Sequence, residues 1–266
     1  MQRVKIILAG LLVSIASCVV AQEPLRPLED NSFLLEEAFN QEAHVIQHIF
    51  TAIFNQQPSR ALTINFTQEW PVGSQLHQFS LSVPATLMRE GGTSGLNDVL
   101  LNYRFQLVAV ENETFIAPRV SVILPTSVER MNGEKGVGLQ LAFPYSHYVS
   151  PGWIIHVNGG LSLIPRRSEP ALFGSKLIST MLGGSGIWLA SPRFNILCEL
   201  VFTSETAEDN NGVVEQTQDL TISPGFRFGI DVGALQIVPG LAFPIIVGAH
   251  ETRSGILLYL SFEHPF

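Results

Sequence analysis

The sequence predicts an all-β fold: a closed antiparallel transmembrane β-barrel of about twelve strands, within a range of ten to fourteen, preceded by a short N-terminal segment. Three features predict it. Apolar and polar residues alternate over long stretches, short and long links between those stretches alternate in turn, and the tryptophans gather at one end of the resulting layout. Charged residues are only 14% of the chain, against ~25% in soluble domains. Beyond the first twenty residues no apolar run reaches the ~20 residues that a membrane helix needs. Low charge with dispersed apolar residues suits a wall whose strands turn one residue in two toward lipid.

Residues 1–21 have the form of a secretory signal. Arg3 and Lys5 precede an apolar run from Ile6 to Val20, and the small residue Ala21 offers a cleavage point before Gln22. Ile15-Ala16-Ser17-Cys18 also has the form of a bacterial lipobox, which would make Cys18 a lipidated N-terminus. Cleavage at Ala21 leaves Cys198 as the single cysteine, which excludes an intramolecular disulfide; an apolar filler on a strand is the reading for that thiol. The net charge of -8 and the lack of basic clusters argue against nucleic acid as a partner.

Residues 22–43 precede the first strand. Pro24 and Pro27 extend its start, and Ser32 is placed to cap a short helix through Phe39. The segment either enters the lumen as a plug or rests as a periplasmic tail on the barrel mouth, and the tail is the simpler reading. His44 and His48 have the spacing of helical metal ligands, but 45–54 fits the first strand better, so no metal and no cofactor are expected.

The barrel occupies 44–266, with strands at about 44–55, 61–71, 76–87, 98–109, 114–125, 136–148, 152–164, 176–189, 192–204, 215–230, 234–247 and 254–264. In the second, Leu62, Ile64, Phe66 and Trp70 oppose Thr63, Asn65, Thr67 and Glu69, a period of two. The same alternation sets Phe79, Leu81 and Val83 against Gln78, Ser80 and Ser82, and Ile196, Cys198 and Leu200 against Asn195 and Glu199. A soluble sandwich also alternates. The links discriminate: short ones after Ala109, Tyr148, Ala190 and Asp231 alternate with long ones after Met88, Thr126, Pro165, Glu205 and Gly248. Outer-membrane barrels have short periplasmic turns and long external loops, so both termini are expected on the periplasmic side. Trp70, Trp153 and Trp188, with Tyr148, then form a girdle at that membrane interface.

The last strand alternates Ile256, Leu258, Leu260, Phe262, His264 and Phe266. It resembles the C-terminal assembly signal of bacterial outer-membrane proteins, carried here by Leu258, Leu260, Phe262 and Phe266; His264 stands where an aromatic or apolar residue is more usual. Two other stretches, Asp30-Asn31-Ser32-Phe33-Leu34-Leu35-Glu36-Glu37-Ala38-Phe39-Asn40-Gln41-Glu42 and Gly95-Leu96-Asn97-Asp98-Val99-Leu100-Leu101-Asn102-Tyr103, resemble a family of outer-membrane transporter-like barrels grouped with proteins of phenol and aromatic-hydrocarbon degradation. The resemblance implies an outer-membrane location in a Gram-negative bacterium and uptake of small or hydrophobic compounds. It also implies outer-membrane lipids, the barrel-assembly machinery and a small-molecule solute as partners.

Seven polar residues fall on the lumen face: Glu69, Arg104, Arg119, His156, Arg193, Glu199 and Arg227. A buried lone charge is costly, so these either line a polar, solute-selecting constriction or pair with one another and plug the barrel. Leu197, Val201 and Leu257 point the same way. A passive porin-like channel is the expected function, with a closed structural or surface-recognition barrel as the alternative. A lipase-type enzyme is the third reading: His156, Asn158 and Ser162 share a strand, but the sequence shows no nucleophilic serine beside His156. Gly91-Gly92-Thr93-Ser94-Gly95 lacks the lysine of a phosphate-binding loop. The chain is therefore not expected to be an enzyme.

Overall fold

The structure is a computed structural model and describes residue 28 and residues 32–55, 61–88, 93–127, 136–165, 175–208 and 213–266. Residues 1–21, read above as a secretory signal and including Cys18, and parts of most long links lie outside the described residues. The strands are β1 (Val45–Asn55), β2 (Ala61–Val72), β3 (Ser74–Met88), β6 (Gly138–Ser150), β7 (Trp153–Pro165), β8 (Ser175–Ser191), β9 (Phe194–Glu208) and β12 (Thr252–Pro265). Four more are interrupted: β4 (Gly95–Leu96, Val99–Phe105, Val108–Val110), β5 (Thr114–Ile116, Arg119–Leu124), β10 (Val214–Phe228, Ile230–Val232) and β11 (Leu235–Ala242, Ile245–Gly248). Together they form the expected twelve-stranded antiparallel barrel. Phe50 of β1 faces both Phe66 of β2 and Leu260 of β12, so the first and last strands close the sheet and leave no edge.

Two interruptions have a local cause. Pro118 and Pro244 have no N–H to give a ladder and sit in the gaps of β5 and β11. Their carbonyls are still used, by Phe105 N–H at 3.1 Å and Gly255 N–H at 2.9 Å, so the wall stays continuous. At the short turns Gly73, Asn112 and Gly233 take positive φ (70°, 58° and 62°), the backbone that tight hairpins need.

The two faces invert the arrangement of a soluble protein. Outward side chains such as Leu101, Leu141, Phe143, Leu182, Leu200 and Leu258 are 46–62% exposed or thereabouts along the wall, whereas inward Gln78, Arg104, Ser146, His156 and Glu199 are buried. So extensive an apolar surface is stable only against lipid. Cys198 lies on this outer face. Trp153 and Trp188 face each other across β7 and β8, their rings 6.4 Å apart and nearly parallel, and Trp70 faces Phe79. All three lie near the short-turn end of the barrel.

Tyr148 does not join them. On β6 the residues Ala142, Pro144 and Ser146 are buried, so the two-residue period carries Tyr148 inward, where it packs beside Phe39 at 6.1 Å. Residues 32–41 are also not a helix: they run as irregular chain inside the barrel rather than across its mouth. An extended backbone presents its amides sideways, and the wall side chains receive them.

Candidate functional site: the lumen and the segment that crosses it

Leu28 and residues 32–41 of the N-terminal segment lie along the inside of the wall, meeting β9 and β8 first and then β7, β6, β4 and β3. Asn195 of β9 donates to the Leu28 carbonyl at 3.2 Å. Ser32 and Ser185 of β8 share a hydrogen bond of 2.7 Å. The N–H groups of Leu34 and Leu35 both donate to Oε1 of Glu199, at 2.8 and 3.1 Å. Asn158 of β7 takes the Glu36 N–H and donates to its carbonyl, both at 2.8 Å, as a neighbouring strand would. Ser146 of β6 accepts from Ala38 N–H at 2.8 Å. Gln106 of β4 accepts from Asn40 N–H and donates to the Ala38 carbonyl, each at 2.8 Å, and Gln78 of β3 accepts from Gln41 N–H at 2.6 Å. Inward amides and hydroxyls thus supply the partners that buried backbone requires.

The expected charged residues separate into those that hold this segment and those that do not. Arg104 is 2% exposed and donates to Asn40 Oδ1 (2.9 Å) and to the carbonyls of Glu37 (3.1 Å) and Phe39 (2.5 Å). Glu37 and Glu69 lie 3.7 and 3.9 Å from its Nη2, so a single guanidinium balances two buried carboxylates. Arg119 pairs with Glu36 at 2.7 Å and also donates to Asn102, Gln140 and Ser121. Glu69 additionally accepts from Gln78 at 2.7 Å. Arg227 is buried, opposite Asn195 in register. Arg193 departs from expectation: it sits in the β8–β9 turn, pairs with Asp231 at 3.0 Å and leaves 46% of its side chain exposed. The inward parity of β9 reaches it only where the strand has already left the barrel.

His156 has a serine beside it that its own strand could not reveal. Ser146 lies opposite it on β6, with Oγ 2.6 Å from Nδ1. The two residues have the composition of a nucleophile and base, but Ser146 Oγ is already engaged by Ala38 N–H, and among the described residues no hydrogen-bond partner orients His156 Nε2. A Ser–His pair generally needs a third group to hold the base. As placed, the pair anchors the segment.

The apolar residues of the segment are seated on glycines. A Cβ on Gly240 would lie 2.5 Å from the Phe33 ring, one on Gly183 2.6 Å from Leu35 and one on Gly229 2.7 Å from Leu28. Phe33 also packs on Tyr259, ring centroids 5.0 Å apart. Leu28 and Phe33 belong to one buried cluster that includes Ile187, Leu197, Val238 and Leu257. Neither these sockets nor Gln78 and Gln106 stand out in the sequence as functional residues, and Asn158 stands out only as a companion of His156 in the lipase-type reading, not as a partner of the segment.

The segment leaves space on both sides. Toward the short turns a cavity of about 730 Å³ is lined by Phe39, Tyr148, Ile154, His156, Leu189 and Asn195. On the other side a pocket of about 330 Å³ lies between Ser32–Glu36 and the wall at Thr51, Asn65 and Ser82. Among the described residues no group of three or more His, Cys, Asp or Glu side chains could hold a metal.

Comparison of the folded chain with solved structures gives full-length matches. An outer-membrane channel from Pseudomonas putida F1 superposes with a TM-score of 0.64 at 13% identity, over 86% of this chain and 98% of that one. The fold is that of an outer-membrane β-barrel. The KdgM porin, in complex with disordered oligogalacturonate, matches with a TM-score of 0.50 at 8% identity, over 84% of this chain and 99% of that one. The NanC porin matches equally well, over 82% and 100%. At such identities the likeness is one of architecture. No family model matches the sequence, and no curated protein does.

Proposed function

We propose that this protein is a passive outer-membrane channel for small solutes, exported by residues 1–21, with its short turns and both chain ends in the periplasm. One observation carries the reading: the lumen is divided by a segment of chain, with a cavity on each side, rather than filled by wall side chains. A wall built only for stability has no need of two vestibules. The larger one combines apolar Phe39, Ile154 and Leu189 with a few polar groups, His156 and Asn195 among them, which suits apolar or aromatic solutes carrying a polar group. Passage needs neither cofactor nor ATP. Arg104, Arg119, Glu36 and Glu69 set the charge of the constriction. Outward Leu258, Leu260 and Phe262, with Phe266 at the rim, form the strand offered to the assembly machinery.

The specific observation favouring the alternative, a closed structural barrel, is the completeness with which Arg104 and Glu199 are engaged by the segment. Flux into liposomes separates the two. The mature chain and a variant lacking residues 22–41 are reconstituted and tested with ions, small sugars and small aromatics. A channel conducts in at least the shortened form. Sealed vesicles with both proteins, each shown to be folded, leave the closed barrel standing.

A further inference from the structure

We propose that His48 and His264 form a divalent transition-metal site that clips the first strand of the barrel to the last. The two imidazoles lie on the outer face of the β1–β12 seam, where His48 is opposite Phe262 and His264 opposite Ile46. Their Nε2 atoms are 3.3 Å apart, while the ring centroids are 5.4 Å apart. The ring planes differ by 21°, and the Nε2 atoms are closer than the centroids, so the two nitrogens are where the rings approach most nearly. Zinc–imidazole bonds of about 2.0–2.1 Å in tetrahedral geometry place two ligand nitrogens about 3.3–3.4 Å apart, the separation found here.

Protonation is also arranged for a metal. Nδ1 of His264 lies 3.0 Å from the carbonyl oxygen of Pro265. A carbonyl only accepts, so Nδ1 holds the proton, and in the neutral ring Nε2 presents its lone pair to the site. A backbone carbonyl on the far nitrogen is the usual outer partner of a metal-bound histidine. His48 needs only to carry its proton on Nδ1 for its own Nε2 to become the second ligand. The ring is held in place by Phe262, at 4.8 Å between centroids, and by Phe66 at 6.2 Å.

Both histidines are partly exposed near the short-turn end of the wall, which gives a metal an approach from the membrane interface. The protein supplies two ligands, and water or lipid phosphate oxygens complete the coordination. Imidazole pairs of this kind select zinc, copper(II) or nickel over calcium and magnesium, which prefer oxygen. The site exists only when the barrel is closed, because its halves are more than two hundred residues apart in the chain. Metal binding therefore favours closure by mass action.

The test uses the full-length barrel in detergent, titrated with zinc sulfate and, separately, copper sulfate. One zinc per chain is expected to bind, and to raise the temperature at which the compact electrophoretic form is lost. Copper(II) electron-spin-echo spectra of the unaltered protein should show two imidazole ligands. H48Q and H264Q should each weaken zinc binding by about 10–100-fold or more, the scale seen on losing even an outer partner. H77Q should leave it unchanged, since His77 bonds Tyr103 elsewhere on the wall. No zinc uptake, a copper spectrum with fewer than two imidazoles, or binding that survives both seam substitutions overturns the proposal. The copper measurement decides the matter even if a seam variant does not fold.

Discussion

On the β2–β7 side of the lumen the wall meets Glu36–Gln41 with guanidinium, amide and hydroxyl groups. On the β8–β12 side it meets Leu28, Phe33 and Leu35 with glycines and aliphatic side chains. The same stretch of chain is thus held by hydrogen bonds along its length, from Ser185, Asn195 and Glu199 as well as from the β2–β7 side, and at Leu28, Phe33 and Leu35 by shape in addition. The polar half is demanding, because any partner removed leaves behind either a buried charge or an unpaired buried backbone group. The apolar half is tolerant of small losses of contact but intolerant of added volume, since its sockets have no spare depth.

The largest effect is expected where the polar half is broken at its centre. Arg104→Met leaves Glu37 and Glu69 without their shared cation and removes the donors to Glu37 and Phe39. A loss of about 3–5 kcal/mol should appear in denaturant unfolding, together with a rise in conductance. Stability and conductance both unchanged would mean that the guanidinium does not hold the segment.

Next in size is the opposite half. Gly240→Val places new carbons where the Phe33 ring sits and should cost about 1–3 kcal/mol by overpacking. Phe33→Ala in the same chain should restore much of that loss, since it empties the space the valine needs. Failure of the second change to compensate would show that Gly240 is required for the wall and not for the socket.

Glu36→Gln should matter less. It loses the 2.7 Å pair with Arg119, but Glu36 is a third exposed, so solvent screening reduces the expected loss to about 1 kcal/mol. Its signature is salt dependence: the gap between variant and parent should narrow in high salt. Arg193→Ala is the smallest. With its pair to Asp231 lying in solvent at the rim, a change under about 0.5 kcal/mol and unaltered flux are expected. A large effect on ion selectivity would return Arg193 to the lumen's working set.

Much of this site was legible one strand at a time. Period-two alternation assigns Glu69, Arg104, Arg119, His156, Glu199 and Arg227 to the inward face, because direction on a strand is a local property, and all but Arg119 are among the buried residues. Applied strictly, the same rule would have turned Tyr148 inward as well; its nearness to Trp153 in the chain suggested the membrane interface instead. What the hairpin offsets did not expose is cross-strand register. Ser146 and His156 become neighbours only when β6 and β7 align, and Gly183, Gly229 and Gly240 become sockets only when a distant segment lies against them.

By itself, then, the sequence determined the barrel, the approximate strand limits and the side that most wall residues face, Tyr148 and Arg193 excepted. These follow from alternation, turn chemistry and the need to satisfy every backbone group within lipid. Only the tertiary structure decided that residues 32–41 lie within the lumen as irregular chain rather than as a helix. A helix satisfies its own amides, and in isolation Ser32–Phe39 can choose that solution. Inside a barrel lined with Gln78, Gln106, Ser146, Asn158 and Glu199, the wall supplies those partners, and the extended course also seats Phe33 and Leu35 on their glycines. The choice rests on groups far apart in the chain, so it is made only once the barrel has closed.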